Sequence, residues 1–360
     1  MDMDCKVRQQ KLRRELERLK VDALMVTHLP NVRYLCGFTG SAGVFLAAPR
    51  PVFFTDGRYS GQAAGEVQGA RIAIAKNGVM AAAATACLKL RFKRVAIESD
   101  YLTVAQFQAL QQALGKSVKL ISRSGIVEAL RAVKDDEEIQ CIRRAVQLSS
   151  RLFPSLLKSL RPGVAESTVA ARLAFSARKA GAQAMSFETI VASGTRSALP
   201  HGVASAALLP SGAFVVLDYG VVLDGYCSDM TRTVHLAKAP AAARELYTAV
   251  LEAQLSAISA VRPGATTGEV DRAARQELKR AKLDRFFTHS TGHGVGLEIH
   301  ESPRVAANGR AVLQPGMVIT IEPGVYLPGK CGIRIEDMLL VTETGYEVLT
   351  PVGKGLIELN

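Results

Sequence analysis

The stretch Gly212-Ala-Phe-Val-Val-Leu-Asp-Tyr-Gly-Val-Val-Leu-Asp-Gly-Tyr-Cys227 returns 104 residues later as Gly316-Met-Val-Ile-Thr-Ile-Glu-Pro-Gly-Val-Tyr-Leu-Pro-Gly-Lys-Cys331. Gly212/Gly316, Gly220/Gly324, Val221/Val325, Leu223/Leu327, Gly225/Gly329 and Cys227/Cys331 are identical, and Asp229-Met230 and Asp337-Met338 follow the two copies. Upstream, Leu160-Arg-Pro-Gly163 and Val261-Arg-Pro-Gly264 each open a helical stretch, 101 residues apart, with Val169 and Val270 in equivalent places. Two copies are too few for a solenoid. They fit two similar halves, each with helices followed by a strand hairpin, that pack together, and a site shared by the two would lie between them.

Acids interrupt both apolar strands. Asp218 follows Phe214-Val-Val-Leu, and Glu322 follows Met317-Val-Ile-Thr-Ile. A carboxylate there is costly unless something pairs with it. Asp224-Gly225 is a hairpin signal. A turn centred between Leu223 and Asp224 would set Asp218 opposite Asp229. In the second copy the midpoint of Glu322 and Glu336 is Gly329, so those two acids would also face each other. Opposed residues have Cα atoms roughly 4.5–5.5 Å apart. Carboxylates that close repel unless a proton or a cation intervenes. Four acids in two opposed pairs suit two divalent cations.

The chain has six histidines, at 28, 201, 235, 289, 293 and 300, and three of them fall in Thr288-His-Ser-Thr-Gly-His-Gly-Val-Gly-Leu-Glu-Ile-His300, between the two acidic hairpins. An imidazole beside four carboxylates favours Mn, Co, Fe or Zn over Mg or Ca. His235, past the first hairpin, reads as structural. Gly292-His-Gly-Val-Gly296 lacks the third glycine of a dinucleotide fingerprint, and no nucleophile elbow, Walker loop or His-Glu-x-x-His is present.

The first 125 residues read as a small α/β domain. Helical spacing runs from Cys5 to Lys20, with Val7, Leu12, Leu16 and Leu19 on one side. Strands are expected at Ala23–Thr27, Gly43–Ala47, Pro51–Thr55 and Val95–Glu98, and helices at Gln62–Gly69, Val79–Leu90 and Val104–Leu114. One long helix is expected from about Glu128 to Phe153. The domains are therefore 1–125 and 126–360.

The chain has 360 residues, 45 Lys plus Arg, 33 Asp plus Glu and a net charge of +12. With 48% hydrophobic and 22% charged residues, disorder is excluded as the overall state. No apolar run reaches the roughly 18 residues of a membrane span, and the charged start reads as neither signal nor transit peptide. Six scattered cysteines with no CxxC pair argue for free thiols. A cytoplasmic enzyme that binds no membrane is the expectation. Residues 1–125 carry +10 and residues 126–360 carry +2, and without the four site acids the latter would carry +6. The basic excess raises nucleic-acid binding as an alternative, but that reading gives no reason for four acids around a histidine cluster.

Asp218, Asp229, His293, Glu322 and Glu336 resemble the ligand order of the pita-bread metallopeptidases. Pro200-His-Gly202, Thr291-Gly-His-Gly-Val-Gly-Leu-Glu-Ile-His-Glu301, Thr320-Ile-Glu-Pro-Gly-Val-Tyr326 and Gly332-Ile-Arg-Ile-Glu-Asp337 look like the Xaa-Pro branch, which includes aminopeptidase P and prolidase. Gly37-Phe-Thr-Gly-Ser-Ala-Gly43 with Thr55-Asp-Gly-Arg-Tyr59 looks like the creatinase-type N-terminal domain. The resemblance implies an α/β (α+β) chain, a small creatinase-type domain followed by a pita-bread domain with a pseudo-twofold repeat. It also implies two divalent metals, Mn foremost, with Co, Zn or Fe as alternatives, and a homodimer. Asp229 and Glu336 would bridge the metals, Asp218 would chelate one, and His293 and Glu322 would serve the other.

The implied reaction is attack of metal-activated hydroxide on the bond before a proline at the second position of a peptide. Glu322 is the implied proton shuttle. His201 and His300 would stabilise the intermediate, and His289 would lie near the proline pocket. Phe187, His201, His300, Tyr326 and Arg334 would contact substrate. The Gly-Phe-Thr-Gly-Ser and Thr-Asp-Gly-Arg-Tyr segments favour an aminopeptidase, with prolidase as the alternative and a basic nucleic-acid- or peptide-binding module as the non-enzymatic one.

Overall fold

The computed structural model describes residues 5–359, and the chain divides into two compact units, residues 1–131 and 132–360. In the first unit, α1 (Cys5–Arg18), β1 (Ala23–Val26), α2 (Leu29–Cys36), β2 (Val44–Ala47), β3 (Val52–Asp56), α3 (Ser60–Glu66), β4 (Arg71–Ala75), α4 (Val79–Lys89), β5 (Arg94–Glu98), α5 (Val104–Leu114), β6 (Lys119–Arg123) and α6 (Ile126–Ala132) follow in order. The mixed sheet runs β4-β3-β2-β1-β5-β6. Its centre is apolar on both faces, and Met25, Phe53, Val95 and Ile97 are buried within it. The edge strands β4 and β6 escape the sequence reading; β4 opens on Arg71, and Lys119 and Arg123 flank β6. On α1 the buried face is Cys5, Arg8, Leu12 and Leu16, while Val7 is exposed. Arg8 stacks over the Tyr34 ring and donates to the Tyr34 carbonyl, which makes it a better core partner than a valine at that angle.

The expected single helix from Glu128 to Phe153 is two helices, α6 and then α7 (Asp136–Ser159). Asp135 ends the run. Its backbone is extended (φ −80°, ψ 172°), its carboxylate accepts the Glu138 N–H at 2.9 Å, and Glu138 accepts the Asp135 N–H at 3.1 Å. This capping box satisfies orphan donors that a continuous helix would not expose. The short α6 belongs to the first unit, beyond the expected boundary at 125. Asn31 donates to Glu128 at 2.5 Å and accepts from Arg131 at 2.7 Å. Asp135→Ala is expected to cost about 1 kcal/mol, read as a lower urea midpoint with an unchanged slope.

The second unit continues with α8 (Glu166–Lys179), β7 (Ala184–Met185), β8 (Ile190–Ser193), β9 (Phe214–Tyr219), β10 (Val221–Leu223), β11 (Tyr226–Cys227), β12 (Met230–Leu236), α9 (Ala241–Ser259) and α10 (Thr267–Arg280). Then come β13 (Gly292–Gly294), β14 (Glu301–Val305), β15 (Val318–Ile321), β16 (Gly324–Leu327), β17 (Cys331–Arg334), β18 (Asp337–Val341), β19 (Tyr346–Val348) and β20 (Ile357–Leu359). The main sheets are β20-β12-β9-β8 and β14-β13-β15-β18-β19.

The sequence repeat is a structural repeat. Both Arg-Pro-Gly turns place their glycine at φ +84°, where a side chain would be strained. Gly163 N–H donates to Leu209 O and Gly264 N–H to Leu313 O, each at 2.9 Å, and Ala165 bridges Leu208 as Thr266 bridges Val312.

The hairpin registers decide where the acids fall. In the second half, Gly324 pairs Arg334 and Ile321 pairs Asp337, which puts Glu322 and Glu336 at opposed positions, as the turn spacing predicts. The first half differs by one step. Leu223 pairs Tyr226, so the turn is centred between Asp224 and Gly225, both at positive φ (52° and 82°). That is the two-residue hairpin geometry an Asp-Gly pair favours. Asp218 consequently faces Thr231, not Asp229. Thr231 occupies the position that Glu336 holds in the other half, and Asp229 lies two residues earlier. No helix of the described residues is long and apolar enough to cross a membrane.

Candidate metal centre

The site lies within the second unit. One ligand atom each from Asp229, His293 and Glu336 lie within 4.8 Å of one another. His293 Nε2 is 3.6 Å from Asp229 Oδ2 and 3.5 Å from Glu322 Oε1. The Thr231 hydroxyl donates to Glu336 Oε2 at 2.7 Å. Asp218 Oδ2 accepts from Arg334 Nη2 at 2.5 Å, while Asp218 Oδ1 and Asp229 Oδ1 are buried with no hydrogen-bond partner among the described residues. Buried orphan carboxylate oxygens are costly. Hard oxygen donors beside one imidazole fit a divalent cation.

Electrostatics point the same way. Burial, then the charges of Glu336, Asp218 and Glu322, holds the Asp229 carboxyl well above its ordinary range, against the pull of Arg334. Burial, then Glu322 and Asp218, does the same to Glu336. Burial pushes Glu322 up to about 7, opposed by Arg334 and a hydrogen bond from Thr320. Without a cation this environment favours the protonated form of each of these acids. Desolvation lowers His293, which keeps its imidazole neutral and able to ligate.

A hydrogen-bonded chain leads out from Asp218. Arg334 Nη1 donates to the Tyr326 hydroxyl at 2.7 Å, and the Tyr326 hydroxyl lies 2.8 Å from His289 Nε2. His289 Nδ1 is 2.7 Å from the Ser290 carbonyl. The network assigns the His289 proton to Nδ1, with Nε2 accepting from tyrosine. Burial, then Arg334, lowers His289 to about 4, and burial raises the Tyr326 phenol to about 12. Arg334 also donates to the Pro200 carbonyl at 3.0 Å, which anchors the segment leading to His201. Arg334 is thus both an ion-pair partner and a strut.

His300 packs edge-on to His293, with ring centroids 4.4 Å apart, and is exposed, as is His201. Desolvation, then His293 and His201, lowers the His300 pKa. Phe187 is half-buried ahead of β8 and makes no ring contact with the other site residues among the described residues. His235 lies apart, with Nδ1 2.8 Å from the Ala237 carbonyl.

The glycines between His293 and its neighbours have a steric reason. A Cβ on Gly292 would lie 1.9 Å from the Thr320 carbonyl oxygen, and one on Gly294 would lie 2.2 Å from that of Ser302. The backbones must pass that closely to bring β13 between β14 and β15.

Sequence reasoning missed several supports. Asp271 accepts from Thr291 at 2.8 Å and pairs with Arg275 at 2.7 Å. Arg275 grips the His289 carbonyl at 2.7 Å, and the Thr291 carbonyl accepts the Glu322 N–H at 2.7 Å. Thr231 and Arg232 were missed as well. A charged residue inside the strand Met230-Thr-Arg-Thr-Val is the same kind of signal that singled out Asp218, and it was available.

Residues 140–343 match Metallopeptidase family M24, and residues 8–133 match the Creatinase/Prolidase N-terminal domain. The chain is 43% identical to the Xaa-Pro dipeptidase of Pyrococcus furiosus over 64% of this chain and 67% of that one. The structure of an Xaa-Pro dipeptidase from Bacillus anthracis superposes with a TM-score of 0.96 at 40% identity, covering 99% of this chain and 100% of that one. That of an X-Pro aminopeptidase from Thermotoga maritima MSB8 gives 0.89 at 35% identity, covering 96% and 100%.

Proposed function

Since the chain belongs to metallopeptidase family M24 and carries a creatinase/prolidase N-terminal domain ahead of the pita-bread catalytic domain, we propose that it is an Xaa-Pro dipeptidase. The observation that carries the reading is the cluster of buried acids around His293, with two carboxylate oxygens left unpartnered. The greater likeness to an Xaa-Pro dipeptidase than to an X-Pro aminopeptidase favours the dipeptidase over the aminopeptidase that the front-domain motifs suggested.

Asp218, Asp229, His293, Glu322 and Glu336 would hold the two divalent ions that membership of this family implies, and the carboxylate-rich donor set favours manganese. Bound there, the ions would acidify a water and polarise the scissile carbonyl. The protein's own groups do the rest. Glu322 carries the proton on a carboxylate oxygen from the attacking water to the leaving prolyl nitrogen. His300 and His201, exposed at the site, donate hydrogen bonds to the oxygen on which negative charge develops. Arg334 fixes Asp218 with one nitrogen and Tyr326 with another, and Tyr326 in turn orients His289 beside the prolyl ring. Phe187 contributes an apolar wall. The reading carries with it a homodimer, as the family resemblance implies, and a cytoplasmic compartment, which six free thiols support.

The test compares Xaa-Pro dipeptides with Xaa-Pro-Yaa tripeptides in added Mn²⁺. Dipeptides are expected to show kcat/KM at least about 100-fold higher, because a tripeptide carries its carboxylate one residue beyond the place that a dipeptide's occupies, so a site built for the one mispairs the other. Equal or preferred cleavage of tripeptides would return the assignment to aminopeptidase.

A further inference from the structure

We propose that Arg232 is a positioning residue for the metal centre and that the C-terminal segment 352–354 acts on the centre through it. Arg232 is 1% exposed, in the middle of β12. Its guanidinium is fully engaged. Nη1 donates to the Thr231 carbonyl at 2.9 Å and to the Glu336 carbonyl at 2.5 Å. Nη2 donates to Asp337 Oδ1 at 2.7 Å and to the Val352 carbonyl at 2.6 Å, and Nε donates to the Gly353 carbonyl at 3.0 Å. The other oxygen of Asp337 accepts from Lys354 at 2.8 Å and from Gln254 at 3.0 Å, and Lys354 also donates to Gln254 at 3.1 Å.

The placement matters more than the number of bonds. Thr231 and Glu336 occupy equivalent positions on the ligand-bearing arms of the two halves. The Thr231 hydroxyl holds Glu336 Oε2, and the Glu336 N–H donates to the Thr231 carbonyl at 3.1 Å. One nitrogen of Arg232 therefore fixes the spacing of the two arms at the level of the donor atoms. A buried Arg–Asp pair is weak evidence of stabilisation by itself, and apolar residues of similar volume often serve as well. A planar fork that reaches two carbonyls on opposite arms and the Asp337 carboxylate next to one of them is something apolar residues cannot supply. Lys354 and Gln254 hold Asp337 in the orientation Arg232 needs, which ties the chain's end to the site.

This inference rests on the two-metal reading above. Metal-stripped full-length protein titrated with MnCl₂ in a calorimeter tests it, using wild type, Arg232→Lys and Lys354→Met. Arg232→Lys keeps a cation beside Asp337 and loses the double carbonyl grip. It is expected to weaken at least one Mn²⁺ binding step roughly 10–100-fold, the usual cost of removing an orienting outer-shell partner. Lys354→Met is expected to weaken it about threefold or more. Both should keep the wild-type far-ultraviolet dichroism. A lowered Tm with unchanged Mn²⁺ steps would assign Arg232 a structural role only and overturn the proposal. If Arg232→Lys does not fold, Lys354→Met decides, and affinity within twofold of wild type overturns it. A wild-type protein that binds no Mn²⁺ would instead sink the two-metal reading, and this inference with it.

Discussion

Asp229→Asn protein is expected to lose metal-dependent Xaa-Pro hydrolysis by roughly 10³-fold or more in kcat/KM, since the metals' transition-state stabilisation is worth several kcal/mol and each 1.36 kcal/mol is tenfold. The substitution changes almost no volume, so lost packing cannot account for such a drop. What it changes is charge. Asp229 sits 3.6 Å from the His293 imidazole, and its carboxylate feels Glu336, Asp218 and Glu322. An amide there would present one weak oxygen donor in place of the carboxylate that the proposed metal site would use. The same change should relieve the metal-free protein, because it removes one member of a mutually repelling, desolvated set. Its Tm in chelator at pH 8 is therefore expected to equal or exceed that of wild type. Loss of function together with retained or increased stability is the behaviour of a site whose residues oppose folding in order to bind a ligand. Turnover equal to wild type would exclude the two-metal mechanism. Loss of activity accompanied by collapse of the fold would make Asp229 a structural residue.

What could be read in the sequence depended on whether a residue's partner was local. The opposition of Glu322 and Glu336 follows from a single turn, and one register runs unbroken through both ladders, from Leu327–Cys331 out to Val318–Leu340. The same reasoning placed Asp218 one step wrong, because the Asp224–Gly225 pair occupies both central turn positions at positive φ and moves the axis of the hairpin. A one-residue error in the turn centre becomes a two-residue error in the partner. The long helix was divided by a capping box that the sequence does spell, Asp135-Asp-Glu-Glu138, but which also reads as a solvated charged face. The roles of Arg232, Lys354 and Asp271 were hidden for another reason. Arg232 stands out as a charge inside a strand, but its partners, like the Gln254 that Lys354 meets and the Thr291 that Asp271 holds, lie far along the chain, and nothing in local spacing chooses them.

The metal-free protein is expected to lose stability as pH rises from about 6.5 to 8.5, while the Mn²⁺-loaded protein does not. Asp229 and Glu336 have pKa values raised well above the ordinary range, and Glu322 is raised to about 7. Raised acids make the folded state bind more protons than the unfolded one. Their contribution is therefore fully present below the unfolded carboxyl pKa and is lost as pH climbs through the folded values. The histidines work in the opposite direction. His289, lowered to about 4, and His293 and His300, also lowered, contribute stability above the unfolded histidine pKa that is lost as pH falls. Below about pH 6.5 the two sets offset each other, so acid titrations are uninformative. An unfolded histidine is half-protonated near pH 6.5, so this offset fades only by about pH 7.5, above which the acids alone remain. For Glu322 alone the loss inside this window is on the order of 1 kcal/mol, the larger part of its linkage falling below pH 6.5, which for a domain of this size is a fall in Tm of roughly 2–4 °C. Bound cations remove the penalty by taking the protons' place, so binding releases protons and tightens with pH. Thermal melts in chelator and in Mn²⁺ at pH 6.5, 7.5 and 8.5 measure this directly. The gap between the two curves should widen with pH. Parallel curves would mean that the acids are already ionised and compensated by something other than a metal.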